Sequence, residues 1–265
     1  MQKIADNPQV YRFLRPLRLL TQCTVHLMAR LPRLYAPGIP QLVHARFLFP
    51  LSTRAASGSR TLDTLQQWLF DGYARHGVML HAWTLTDDGI LLLATPGDDK
   101  SLSRLIQMLG RNLATTLRKG PVFSGRYRST LVEPGAWVIP SMIWLESWVA
   151  REKGASDSEL WPWSSAGFHT GAFMGYSPAL NDHADYWSSG NTPFDRQAAY
   201  KHHYTEGLSS GQLQQIAQAL HGQWALGSPE FIEQLNAVAS RRPMQGRRGR
   251  PRTRPIAHEG ESHKA

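Results

Sequence analysis

Leu80-His81-Ala82-Trp83-Thr84-Leu85-Thr86-Asp87-Asp88-Gly89-Ile90-Leu91-Leu92-Leu93-Ala94-Thr95-Pro96 consists of two β-forming runs around a polar turn. An Asp-Gly step between hydrophobic runs predicts a tight β-hairpin, because Gly tolerates the backbone angles that such turns demand. The second arm, Ile90 to Ala94, carries no polar side chain, which predicts a central strand covered on both faces.

Working outward, Leu42 to Phe49 reads as the first strand, with His44 and Arg46 on one face and Val43, Ala45 and Phe47 on the other. Residues 50 to 60 read as a loop. Thr61 to His76 reads as a helix, from the spacing of Leu62, Leu65, Trp68, Leu69, Gly72 and Tyr73, and Gly77 closes it. Beyond the hairpin, Ser101 is the expected N-cap of a second helix with Leu102, Leu105, Ile106, Leu109, Leu113 and Leu117 inward. Arg104, Arg111, Arg118 and Lys119 fall on its outer side, as a solvated face or a phosphate-facing stripe. Gly125 to Val132 reads as a strand, its alternation separating Arg126, Arg128 and Thr130 from Tyr127, Ser129 and Leu131. Ala136 to Arg151 reads as a third helix bearing Trp137, Trp144 and Trp148, with Pro140 delaying or kinking it.

Strand, helix, hairpin, helix, strand, helix predicts an α+β fold, a ferredoxin-like antiparallel sheet with helices on one face and the other open to a ligand. Phe194–Tyr204, Gly211–His221 and Pro229–Ser240 read as short helices of a C-terminal appendage. The expected organisation is a basic N-terminal extension (1–30), the sheet domain (31–171), the helical appendage (172–240) and a basic tail (241–265) too polar to bury itself.

Composition narrows the class. With 265 residues, 42% of them hydrophobic, the chain can bury a real core. The single cysteine, Cys23, excludes an internal disulfide framework and a cysteine-rich zinc site, in keeping with a reducing cytoplasm. No apolar run reaches the ~18 residues of a membrane span, so no membrane partner is expected. Arg12, Arg15, Arg18, Arg30 and Arg33 among leucines read as a basic amphipathic helix, without the cleavage pattern of a targeting leader. The net charge of +9 is concentrated in residues 241–254, which hold seven arginines and no acid and leave +2 for the rest. A positive cluster of this kind binds polyanions by counterion release, and nucleic acid is the expected partner.

Several motifs, in order, resemble the REP-associated branch of the single-tyrosine transposases: the Pro37-Gly38 entry to the first strand, the hairpin, and Leu102-Ser103-Arg104 through Leu109-Gly110-Arg111. Further on come Gly125-Arg126-Tyr127-Arg128-Ser129, Trp161-Pro162-Trp163-Ser164-Ser165, Ala225-Leu226-Gly227-Ser228-Pro229-Glu230-Phe231 and the Gly-Arg-Pro-Arg tail. The resemblance covers about Leu31 to Arg252. It implies single-stranded or hairpin DNA as partner, a nucleoid-associated location and a homodimer as a permitted state.

In that family two strand histidines hold Mg²⁺ or Mn²⁺, and a tyrosine early in the last helix attacks a phosphodiester. A phenol with a pKa near ~10 needs such a Lewis acid, because charge building on phosphate must be stabilised. Here Gly89 and Leu91 stand at the histidine positions, Trp144 at the tyrosine and Trp148 at the polar residue one turn later. The resemblance therefore implies a degenerate catalytic site, no metal cofactor and retained DNA binding through Arg104, Arg111, Arg126 and Arg128, anchored by tail residues Arg247, Arg248, Arg250 and Arg252. Two other readings are an active transposase, with substitute residues or a competent partner subunit, and a protein-interaction scaffold whose sheet face is made apolar by Leu91. Asp87 and Asp88 are ordinary turn residues in preference to Mg²⁺ ligands. Tyr127 reads as structural, and His44, His81, His169, His202 and His203 as packed or surface histidines. The tryptophans read as core or as a stacking platform for unpaired bases. Arg248-Gly249-Arg250-Pro251 matches the core of an AT-hook, which places arginines along an A·T-rich minor groove.

Overall fold

The hairpin forms where the sequence places it. In the computed structural model, which describes residues 32–51, 58–155, 157–175, 177 and 180–245, its arms are β2 (Val78–Leu85) and β3 (Gly89–Pro96). They join β1 (Gln41–Arg46) and β4 (Arg128–Leu131) in one antiparallel sheet ordered β2-β3-β1-β4. Every residue of β3 is buried, as an uninterrupted apolar run requires of a central strand. Helix α1 (Gly58–Gly72) links β1 to β2, and α2 (Ser101–Leu117) links β3 to β4. The α+β class and the ferredoxin-like order follow from this connectivity. The extension 1–30 lies outside the described residues, as does the tail beyond residue 245 with its AT-hook-like motif.

One face of the sheet packs on α1 and α2. Val43, Ala45, Trp83, Ile90 and Leu92 share a buried cluster with Leu62, Leu65 and Leu69 of α1 and Leu102, Leu105 and Leu109 of α2. Each fully buried side chain of this kind contributes about 1.5–3 kcal/mol. Truncating central Leu92 to alanine is expected to cost about 2–5 kcal/mol. Leu80 and Trp83, three apart, both reach this face because His81 is the extra residue of a β-bulge between Leu80 and Ala82.

The second face corrects the sequence reading. It is not open to a ligand, because α3 (Val138–Glu146) and α8 (Ser210–Gly222) cover it. Leu42, Ala82, Leu91 and Leu93 cluster there with Val138, Met142, Trp144, Ile216 and Leu220. Four apolar side chains pointing away from α1 and α2 need cover of their own. The face that the scaffold reading offered to another protein is occupied by the chain itself.

Helix ends depart from expectation for local reasons. The tryptophan-rich helix is interrupted at Ser147 and resumes as α4 (Trp148–Lys153); Pro140 sits in the first turn, where a missing N–H is harmless. Ser147 Oγ donates back to the Ile143 carbonyl at 2.7 Å, a competing bond that distorts helices. Ser101 is not the N-cap of α2. It begins the helix, while Asp98 Oδ1 accepts the Lys100 N–H at 2.8 Å and the Ser101 hydroxyl at 3.0 Å. Gly77, with φ +64°, does end the turn Ala74–His76 that follows α1. The first and last strands are shorter than predicted, and Phe47 instead pairs with Phe123 beyond the end of β1. The remaining helices are α5 (Ala166–His169), α6 (Ala184–Trp187), α7 (Pro193–Glu206) and α9 (Pro229–Val238).

Candidate nucleic-acid interface

Gly89 faces Arg46 across the β1–β3 ladder, and Leu91 faces His44. A Cβ added to Gly89 would lie 2.6 Å from the Ala45 carbonyl oxygen, so the backbone itself demands glycine there. Leu91 is fully buried among the apolar side chains of the second face. Trp144, 5% exposed, belongs to the same cluster. An absent side chain, an alkyl group and an indole offer no ligand for a hard cation, so these residues do not fit the metal that the resemblance implies.

A different constellation forms where α4 leaves the sheet. Trp148 is half-buried and meets Trp144 edge-on, ring centroids 5.0 Å apart, and His44 likewise at 5.0 Å. The Arg151 guanidinium lies 5.1 Å from the Trp144 ring and 5.5 Å from that of Trp148. Its Nη1 donates to the Trp144 carbonyl at 2.8 Å and to Ser147 Oγ at 2.7 Å, while buried Nη2 makes no hydrogen bond to any described residue. Burial pushes this guanidinium below its usual pKa, with Glu152 acting the other way. Arg46 and Arg128 are exposed beside His44. Burial, followed by the charges of these two arginines, lowers the His44 imidazole to about 4, so it is neutral at pH 7. Among the described residues, no carboxylate forms an ion pair with Arg46, Arg128 or Arg151. Accessible indole beside unpaired guanidinium can stack a base and hold its phosphate.

The hairpin turn abuts α4 as well. The Lys153 ammonium pairs with Asp87, and with Asp88 at 3.1 Å. These carboxylates clamp the hairpin turn to α4, and among the described residues no group of three His, Cys, Asp or Glu side chains converges as a metal site.

The arginines expected to act together are distributed over the molecule. Arg128 shares the second face with Leu42 and His44, by the β1–β4 register. Arg104 and Arg111 lie on the outer side of α2, whose inner side packs on the first face. Arg104 is moreover held by Asp98 at 2.6 Å. Arg126 is exposed just before β4. Arg247, Arg248, Arg250 and Arg252 lie outside the described residues. Tyr127 is buried, its ring under the Arg33 guanidinium at 3.8 Å and its hydroxyl 3.2 Å from Ser103, and burial pushes its pKa up.

Sequence reasoning missed Arg151 and Lys153; the i+3 spacing of Arg151 from Trp148 and the place of Lys153 at a helix end were available signals. It also missed the partner of His169. Glu146, fully buried, accepts from His169 Nδ1 at 2.6 Å, from Ser165 Oγ at 2.5 Å and from the Tyr200 hydroxyl at 2.6 Å. These residues come from α3, from α5 and the residue preceding it, and from α7, and share no local pattern.

No family model matches the chain, and no curated protein does. A solved structure described as "Structure of the REP associates tyrosine transposase bound to a REP hairpin" is similar to it over 62% of this chain and 98% of its own, with 12% identity and a TM-score of 0.47.

Proposed function

We propose that the chain binds single-stranded or hairpin DNA without cutting it. The observation that carries this reading is the Trp148 indole with the Arg151 guanidinium beside it and His44 packed on it, His44 in turn lying within electrostatic reach of Arg46 and Arg128; none of the three arginines has a carboxylate partner among the described residues. A base stacks on the indole and the arginines take the flanking phosphates, an arrangement that needs no metal. The ordered motifs of the chain, similar to those of single-tyrosine transposases, support DNA as the polyanion. Gly89, Leu91 and Trp144 provide neither metal ligand nor hydroxyl nucleophile, which supports a binding role over strand cleavage. The tail arginines Arg247, Arg248, Arg250 and Arg252 add affinity for phosphate or for an A·T-rich minor groove.

The test is a labelled hairpin oligonucleotide incubated with the purified chain and Mg²⁺ or Mn²⁺. The expected result is a gel shift that weakens with salt and leaves no denaturation-resistant adduct. A covalent protein–DNA adduct would replace this reading with an active transposase, and no shift at low salt would replace it with a protein-interaction role.

A further inference from the structure

A second polar centre lies away from the tryptophan patch, in a cavity of about 50 Å³ whose lining includes His169, Ser177, Asp182, Tyr186, Arg196 and Gln197. A water needs about 10–15 Å³ of such space, so the cavity has room for roughly three or four waters or for one small oxyanion. We propose that it binds free inorganic phosphate, held by Arg196, Ser177 and His169.

Three observations converge on an anion. Arg196 is 4% exposed, stacks over the Trp187 ring at 3.9 Å and donates Nη1 to the Gly190 carbonyl at 3.2 Å, yet no carboxylate of the described residues lies within ion-pair distance. A buried guanidinium without a counterion is costly, and an anion removes that cost. Ser177 Oγ is buried without a hydrogen bond to any described residue. His169 Nε2 is buried and unpartnered in the same way.

The histidine adds direction. The Glu146 carboxylate already takes the Ser165 and Tyr200 hydroxyls, so the proton of the 2.6 Å contact sits on His169 Nδ1. Nε2 of that tautomer carries a lone pair and accepts the O–H of a protonated phosphate. The other titratable groups facing His169 are Tyr186 of α6 and Tyr200 of α7, whose rings lie 4.8 and 5.3 Å from its own, Asp182 on the cavity wall, and His81 of β2 within electrostatic reach. Asp182 sets selectivity: an ionised carboxylate accepts the O–H of a protonated phosphate and repels sulfate, which has no proton to give. A nucleoside attached to the phosphate exceeds the 50 Å³ cavity and would have to lie outside it, which favours the free ion.

The experiment titrates the full-length chain with inorganic phosphate and, separately, with sulfate, in about 0.15 M chloride to screen exposed arginines. Calorimetry is run at pH 7, alongside imidazole NMR. The expected result is saturable phosphate binding, with sulfate at least tenfold weaker. S177A should weaken phosphate several-fold with unchanged melting, because the hydroxyl it removes has no partner to lose, and R196Q should abolish the binding. Absence of a saturable phosphate signal overturns the proposal. So does equal binding of phosphate and sulfate that S177A leaves untouched, which would assign it to surface arginines, and so does equal binding of thymidine monophosphate. None of these outcomes bears on DNA binding at Trp148.

Discussion

The indole of Trp148 meets the imidazole of His44 edge-on, at 69° between their planes and 5.0 Å between their centroids. The contact joins the first residue of α4 to the middle of β1 and leaves the rest of the indole partly exposed. If that face stacks a base, W148A should weaken single-stranded DNA binding by about 1–3 kcal/mol, roughly 5- to 150-fold, at constant salt. Fluorescence titration of a labelled oligonucleotide measures it. Circular dichroism melting of the variant controls for lost packing.

Arg151 and Arg104 should behave differently. The unpartnered Nη2 of Arg151 sits beside the tryptophans, whereas Arg104 is paired with Asp98 on the far side of α2. R151Q is expected to reduce affinity and to lower the slope of log K against log salt by about 0.7 for single strands. R104A should change neither by more than experimental error. Binding isotherms at three or four salt concentrations distinguish the two, and equal effects would place the phosphate path over α2.

Acid should destabilise the fold through His81. It is 4% exposed; its Nδ1–H donates to the Asn181 carbonyl at 2.6 Å, and its Nε2 accepts from Thr95 Oγ1 at 2.8 Å. Burial holds the imidazole at about 4, the Asn181 bond opposing only in part, against an ordinary value of 6.5. Below pH 6.5 the unfolded chain binds a proton that the folded chain refuses until about pH 4. The stabilisation is thus complete above 6.5 and lost as pH falls through that window, by about 3 kcal/mol. His44, also lowered to about 4, titrates in the same window. Urea midpoints between pH 4 and 7.5 should fall towards acid, less steeply in H81Q.

Installing histidines at residues 89 and 91 should fail. At residue 89 any Cβ meets the Ala45 carbonyl oxygen at 2.6 Å, and at residue 91 an imidazole would enter a fully buried apolar cluster. G89A alone should cost about 1–3 kcal/mol by overpacking. The double variant G89H/L91H should lose more, because each buried unpaired polar group adds about 1–3 kcal/mol. Chemical denaturation gives both values. A stable double variant that binds Mn²⁺ would show that β1 and β3 can part to admit the side chains.

Sequence by itself determined the sheet and its first helical layer. Ile90 to Ala94 read as a central strand, Asp87-Asp88 as a turn, and the leucine spacing after Ser101 as a helix with one apolar side, because periodicities of 2 and 3.6 dictate which side chains must leave water. The absence of imidazole at Gly89 and Leu91 was equally plain. Tertiary structure alone decided what covers the second face, since the amphipathic pattern of α8 names no docking partner. It also decided that Arg104 and Arg128 lie on opposite sides of the sheet, and that Glu146, Ser165, His169 and Tyr200 meet in one buried network. Such groupings join residues 19 to 54 positions apart, and only packing sets the distances between them.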